Sequence, residues 1–171
     1  AKLLLSEAPN LCYGCHDKAA FSMKNVHAPV MGGMCLSCHS PHAAAEMALL
    51  LKRPAAVCAE CHPDVLKQRH VVGDFNHPVG SVEAKEYKIS EGKKAKREKG
   101  LLMDPARQGK EFYCGSCHNP HSSDNANLLS AEVPDLCYTC HDKGLFSKKN
   151  VHAPVMGGMC LSCHSPHATA E

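Results

Sequence analysis

The chain contains no tryptophan, only 5% aromatic residues and a single isoleucine, Ile89. A globular chain of 171 residues ordinarily builds its core from Leu, Ile, Val and Phe. Here much of the 44% apolar fraction is Ala, Cys and Met, so large flat side chains for such a core are missing. No apolar run is long enough to cross a bilayer. No signal peptide is visible, and Ala1 reads as the start of a mature or internal segment. Basic residues are not interleaved with aromatics, which removes the pattern expected of a single-stranded nucleic-acid binder.

What the chain has in abundance is cysteine. All 12 cysteines fall in six copies of one pattern. The copies are Cys12-Tyr13-Gly14-Cys15-His16, Cys35-Leu36-Ser37-Cys38-His39, Cys58-Ala59-Glu60-Cys61-His62, Cys114-Gly115-Ser116-Cys117-His118, Cys137-Tyr138-Thr139-Cys140-His141 and Cys160-Leu161-Ser162-Cys163-His164. C-x-x-C-H is the attachment signature of c-type haem. The two thiols add to the two vinyl groups of one haem, and the adjoining His is held against the iron as proximal ligand. A disulfide framework would explain an even count of cysteines but not the trailing His. Zinc ribbons pair two C-x-x-C units without that fixed His. The expectation is six covalently bound haems c, whose porphyrins supply the apolar bodies that the side chains do not. The formal charge of +2 then becomes roughly −4 in the oxidised holoprotein and roughly −10 in the reduced one, once ionised propionates and ferric cores are included. Many of the 19 Lys and Arg are accordingly propionate partners.

The sequence repeats with a period of 125 residues: 24–43 recurs identically as 149–168. Repeats define the architecture. One unit holds the motifs at Cys12, Cys35, Cys58 and Cys114, and a half unit holds the two at Cys137 and Cys160. A weaker repeat inside the unit divides the chain into three two-haem modules, 1–46, 47–125 and 126–171. The second carries a charged insertion at 81–111, read as a solvated loop or as a set of propionate or partner contacts. The repeat is in mid-phase at both ends, so the chain reads either as a window of a longer array or as a protein that ends there. Eleven prolines break up regular structure. The expected fold is mostly irregular coil with short α-helices and little or no β-structure around a haem-packed core. The strongest helix candidate is the Ala-, Leu- and Met-rich stretch 43–52.

Seven histidines lie outside the motifs: His27, His42, His70, His77, His121, His152 and His167. Six bis-His haems need six distal ligands. His42 lies three residues after His39, too near to reach the opposite face of the same haem. It must serve another haem, expected to be the partner haem of its own module, and the same holds for His121 and His167. His27, His77 and His152 supply the remaining distal ligands. Spacing does not decide which haem each serves, the following motif being favoured. His70 has no counterpart in the other modules; it is a spare, a substitute for His77, or a ligand for a neighbouring chain. Met31, Met34, Met156 and Met159 lie close to motifs, where they pack against haem or act as higher-potential axial ligands.

With these motifs the chain resembles the multihaem c-type cytochromes that carry the doubled C-x-x-C-H motif. The resemblance is carried by His27-x-Pro29-Val30 before Cys35-x-x-Cys38-His39-x-Pro41-His42, by its copy from His152 to His167, and by a looser version from His77 to His121. Relatives include periplasmic and cell-surface cytochromes of metal-respiring bacteria, some of which form extracellular filaments. The resemblance implies low-spin bis-His haems in a row, and an electron carrier rather than an enzyme. It also implies an exported protein, periplasmic or at the cell surface, that meets redox partner proteins or extracellular acceptors and associates end to end. The alternatives are a soluble shuttle or a nitrite- or hydroxylamine-converting enzyme. An enzyme needs an open coordination position and proton donors, against which all six motifs end in His and distal His are in surplus.

Overall fold

The computed structural model describes residues 4–67, 77 and 113–167. His70 and the charged insertion 81–111 lie outside the described residues. Two compact units result: Ala1–Pro63 with Cys114–Ser130, and Asp64–Tyr113 with Ala131–Glu171. The first contains four motifs and the second two.

Regular structure comes in single turns. The helices are α1 (Asn10–Tyr13), α2 (Ala28–Met31), α3 (Pro54–Ala59), α4 (Pro63–Lys67), α5 (Asp135–Tyr138) and α6 (Ala153–Met156). Proline opens α3 and sits in the first turn of α2 and α6, where its missing N–H costs nothing. Asp17 caps the 3₁₀ turn Lys18–Phe21 by accepting from the Ala19 N–H at 2.9 Å, and Asp142 caps Lys143–Phe146 through the Gly144 N–H at 2.8 Å. Every C-x-x-C-H closes as a helical turn, with the His N–H donating to the carbonyl of the first Cys at 2.9–3.0 Å in all six motifs.

In the first unit, β1 (Asn25–Val26) pairs antiparallel with β2 (Ser122–Ser123), in the register Asn25 to Ser123 and Val26 to Ser122. The Asn25 amide extends the pairing by donating to the carbonyls of Ser123, Asp124 and Asn125. Ser122 is fully buried. Its hydroxyl donates to Ala20 O at 2.9 Å and accepts from Met23 N–H at 3.3 Å, tying the loop before β1 to the end of the second module.

The stretch 43–52 is not the helix that its composition favours. It forms a 3₁₀ turn, Met47–Leu49, with Ala48 and Leu49 in left-handed conformation, at φ 53° and 55°. Backbone pairing decides the outcome: Leu50 bridges His39, Ser40 N–H donates to Leu49 O, and Leu51 N–H donates to Cys38 O. The same loop recurs at Ala126–Leu128, with Asn127 and Leu128 left-handed and Leu129 bridging His118.

Only Pro54, Ala55, Ser122 and Ser123 are buried among the described residues. Large apolar side chains flank the motifs instead. Met34 and Leu36, and their repeat counterparts Met159 and Leu161, are all more than half exposed. This is the distribution that a large flat apolar group bound at each motif would cover. The short helices, the two-residue sheet and the scant side-chain core are the mostly irregular fold with little β-structure that the sequence led one to expect.

Candidate haem sites

The histidines come together in facing pairs. The rings of His27 and His62 lie near-parallel, with centroids 6.2 Å apart and an interplanar angle of 24°. Those of His39 and His121 lie 6.0 Å apart at 29°. In the second unit, His77 and His141 face each other at 6.0 Å and 53°. These spacings suit two imidazoles on opposite sides of one iron: half of each is a metal–imidazole bond of about 2 Å plus the distance from ring nitrogen to ring centre. Each pair joins one motif histidine to one outside the motifs.

Backbone carbonyls hold the rings. Nδ1 of His27 lies 2.9 Å from Pro120 O, and Nδ1 of His77 lies 2.9 Å from Pro166 O. Nδ1 of His39 lies 2.8 Å from Ala48 O, and Nδ1 of His118 lies 2.8 Å from Asn127 O. A carbonyl only accepts, so Nδ1 carries the proton in each ring and Nε2 is left as the metal-binding nitrogen. The left-handed turns at Ala48 and Asn127 aim the carbonyls that do this for the second motif of the first two modules. Burial holds the His121 ring below its ordinary pKa range, and His39, His27 and His16 beside it add to the effect. Burial does the same at His141, followed by His77 and His164. Metal binds the neutral imidazole, which both surroundings favour.

None of the twelve cysteines forms a disulfide. Their neighbours trace the motif order in the first unit. Burial raises the Cys35 thiol, with Cys12 beside it, and raises Cys38, with Cys61 and Glu60 beside it. A hydrogen bond between Cys58 and Cys114 pushes Cys58 well above the thiol range and holds Cys114 down to about 7. These protons exist only before attachment, since a thioether has none. In the first unit these neighbours run Cys12 to Cys35, Cys38 to Cys61 and Cys58 to Cys114, a thiol of each of its motifs near one of the next. Among the described residues no three His, Cys, Asp or Glu side chains converge on a site for a bare metal ion.

The pairing departs from the nearest-neighbour expectation in two ways. His121 faces His39 of the preceding module, not the other motif of its own. His27 faces His62, not the motif that immediately follows it. The cause is β1–β2: it folds the end of the second module back against the first, so the facing imidazoles come from different modules. Three supporting groups gave no functional signal in sequence: Asn25, Ser122 and the carbonyl of Pro120. The recurrence of Asn two residues before His27 and His152 was the available clue.

The family described as Doubled CXXCH motif matches residues 27–67, 104–145 and 152–171, more than half of the chain. The chain is also similar to the multiheme cytochrome MtrA of Shewanella baltica (strain OS185), at 28% identity over 148 residues. That alignment covers 85% of this chain and 35% of MtrA, so the chain spans about a third of the length of this curated relative.

Proposed function

The chain belongs to the family of multihaem cytochromes with doubled CXXCH motifs, and on that premise we propose that it carries electrons along six covalently bound bis-His haems. Electron transfer by haem c is the activity that the family supports. When bound, each haem supplies a one-electron ferric/ferrous couple. The polypeptide supplies attachment, ligation and spacing. Cys12 and Cys15, Cys35 and Cys38, Cys58 and Cys61, Cys114 and Cys117, Cys137 and Cys140, and Cys160 and Cys163 hold the six groups, each with its motif histidine as proximal ligand. His121 is the distal ligand at the Cys35 motif, His27 at the Cys58 motif and His77 at the Cys137 motif. His42, His152 and His167 complete the distal set, with His70 in reserve.

The observation that carries this reading is the set of facing imidazoles 6.0–6.2 Å apart. The neighbouring thiols of the four motifs in the first unit support closely spaced haems there, which is what hopping needs. We place the protein outside the cytoplasm, in the periplasm or at the cell surface, exchanging electrons with redox proteins or extracellular acceptors. No helix among the described residues is long and apolar enough to cross a membrane.

Intact mass after denaturation tests the cofactor count: the polypeptide should carry six haem masses. Optical redox titration should then take six electrons per chain. Fewer haems in matured protein, or turnover of nitrite or hydroxylamine by the holoprotein, would refute the reading.

A further inference from the structure

His27, His39 and His77 each have Nδ1 held by a backbone carbonyl. His121, which faces His39, is held differently. Its hydrogen bonds are made by its backbone: the N–H donates to Asn119 Oδ1 at 3.0 Å, and the carbonyl accepts from His27 N–H at 2.9 Å. Among the described residues its ring has no hydrogen bond. The second side-chain torsion of histidine has no sharp preference of its own, so contacts decide the plane of the ring. The contact here is Phe21, with ring centroids 4.9 Å apart and an interplanar angle of 60°. That distance lies within the range of favourable aromatic pairs.

Phe21 is itself fixed. It ends the 3₁₀ turn Lys18–Phe21 that Asp17 caps. The Ser122 hydroxyl donates to Ala20 O and accepts from Met23 N–H, so the backbone on either side of Phe21 is bound to the residue that follows His121. Tyr13 lies against the Phe21 ring at 5.8 Å and 50°, with Lys18 Nζ 5.8 Å from the centre of the Tyr13 ring. His16 crosses Phe21 at 6.5 Å and 88°. The repeat separates what the local sequence does from what the fold adds. Tyr138 and Phe146 make the same contact in the matching turn, at 6.0 Å, with Lys143 Nζ 5.2 Å from the Tyr138 ring centre. Phe146 is exposed, and among the described residues it meets no histidine ring, whereas Phe21 is half-buried. The tyrosine, phenylalanine and lysine cluster is therefore a property of the turn. The contact with His121 is added by the β1–β2 pairing, which brings 121–123 to that turn.

We propose that Phe21 is the positioning residue for His121: its ring fixes the plane of that imidazole against His39, and with it the electronic state and potential of the haem at Cys35 and Cys38. The proposal rests on the bis-His reading above. The plane matters because an axial imidazole overlaps the iron d orbitals in a direction set by its rotation. Two axial rings near to parallel, as His39 and His121 are at 29°, act along one direction and separate those orbitals in energy. Turning one ring away removes the separation. Groups that orient an axial ligand are one of the means by which a protein tunes a haem. At the other rings of the facing pairs a carbonyl does this by hydrogen bonding, as Ala48 O does for His39 at 2.8 Å. At His121 an aromatic ring does it by packing.

The test uses the matured holoprotein, followed by electron paramagnetic resonance in the ferric state and by optical redox titration. Phe21→Leu and Phe21→Met remove the ring but keep an apolar side chain in its place. Each should retain the parent's haem count and low-spin state, while one low-spin component moves to new g values and one potential shifts. Phe21→Tyr keeps the ring and should restore both parent readouts. Phe146→Leu, in the matching turn, should leave that component unmoved. In a His121→Ala background the Phe21→Leu change should be lost, because the imidazole it acts on is gone. Parent g values and potentials in both the Leu and Met variants, with or without a loss of stability, overturn the proposal. So does a change that survives undiminished without His121. Failure of the underlying bis-His reading looks different: high-spin ferric haem already present in the parent, with none added by His121→Ala.

Discussion

His27 donates its backbone N–H to the carbonyl of His121 at 2.9 Å, yet the two rings turn to different partners, His62 and His39. One two-residue strand pair thereby positions two imidazoles against two different motifs, as the proposed distal ligands of two haems. The ligand assignment can be tested haem by haem.

Replacing His121 with Ala should open the haem at Cys35 and Cys38, adding one high-spin ferric haem per chain in electron paramagnetic resonance. In a Cys35→Ala, Cys38→Ala background that addition should vanish. His27→Ala should behave likewise with the haem at Cys58 and Cys61. If the His121→Ala signal disappears instead when the Cys58 haem is removed, the pairing across the module boundary is wrong.

Ser122→Ala should destabilise the first unit. It removes the hydrogen bonds that a fully buried hydroxyl makes to Ala20 O and Met23 N–H, each worth about 0.5–1.5 kcal/mol. Denaturant titration should show that loss, while Ser130→Ala, at an exposed residue, should stay within about 0.5 kcal/mol of the parent. Equal midpoints for the two variants would remove Ser122 from the joint.

Gly33 and Gly158 both have φ of 70°, and a Cβ would meet Pro9 Cδ at 2.8 Å and Pro134 Cδ at 2.9 Å respectively. Alanine at either should cost about 1–3 kcal/mol through strained backbone and overlap. Gly32→Ala is the control, since its Cβ would meet nothing closer than 3.5 Å and its φ is −78°. Thermal unfolding of the three variants should rank Gly32→Ala closest to the parent.

Ala48 should accept Asn more readily than Val. Its repeat counterpart is Asn127, and both are left-handed, at φ 53° and 54°. Asn visits this region readily, whereas a β-branched residue there loses about 1–2 kcal/mol. Ala48→Val should also free the His39 ring from the carbonyl that orients it, seen as a shift in the potential of one haem. An unchanged potential together with a stability loss would limit the role of Ala48 to folding.

The motif turn was legible because it is local: each Cys-x-x-Cys-His closes with the same hydrogen bond from the His N–H to the first Cys carbonyl. The sparse secondary structure followed from proline spacing, and the capping aspartates Asp17 and Asp142 sit in matching places of the repeat. Pairing was not legible, because it depends on the contact between residues about a hundred positions apart, Asn25 and Ser123. Helix propensity at 43–52 was likewise overruled by a backbone bridge from Leu50 to His39. Local chemistry could be read directly, whereas long-range register could be recognised only once two copies of one sequence were seen in different surroundings.

The strand pair that carries His27 and His121 also constrains how such a chain can lengthen. On the ligation proposed above, in which histidines serve motifs of adjacent modules, duplication by whole modules preserves each internal donor–acceptor relation. An insertion that splits a module, or a deletion of one motif, orphans a histidine on one side and an iron on the other. On that proposal growth comes in pairs of haems, and the 125-residue repeat, with its four C-x-x-C-H motifs, is a whole number of pairs.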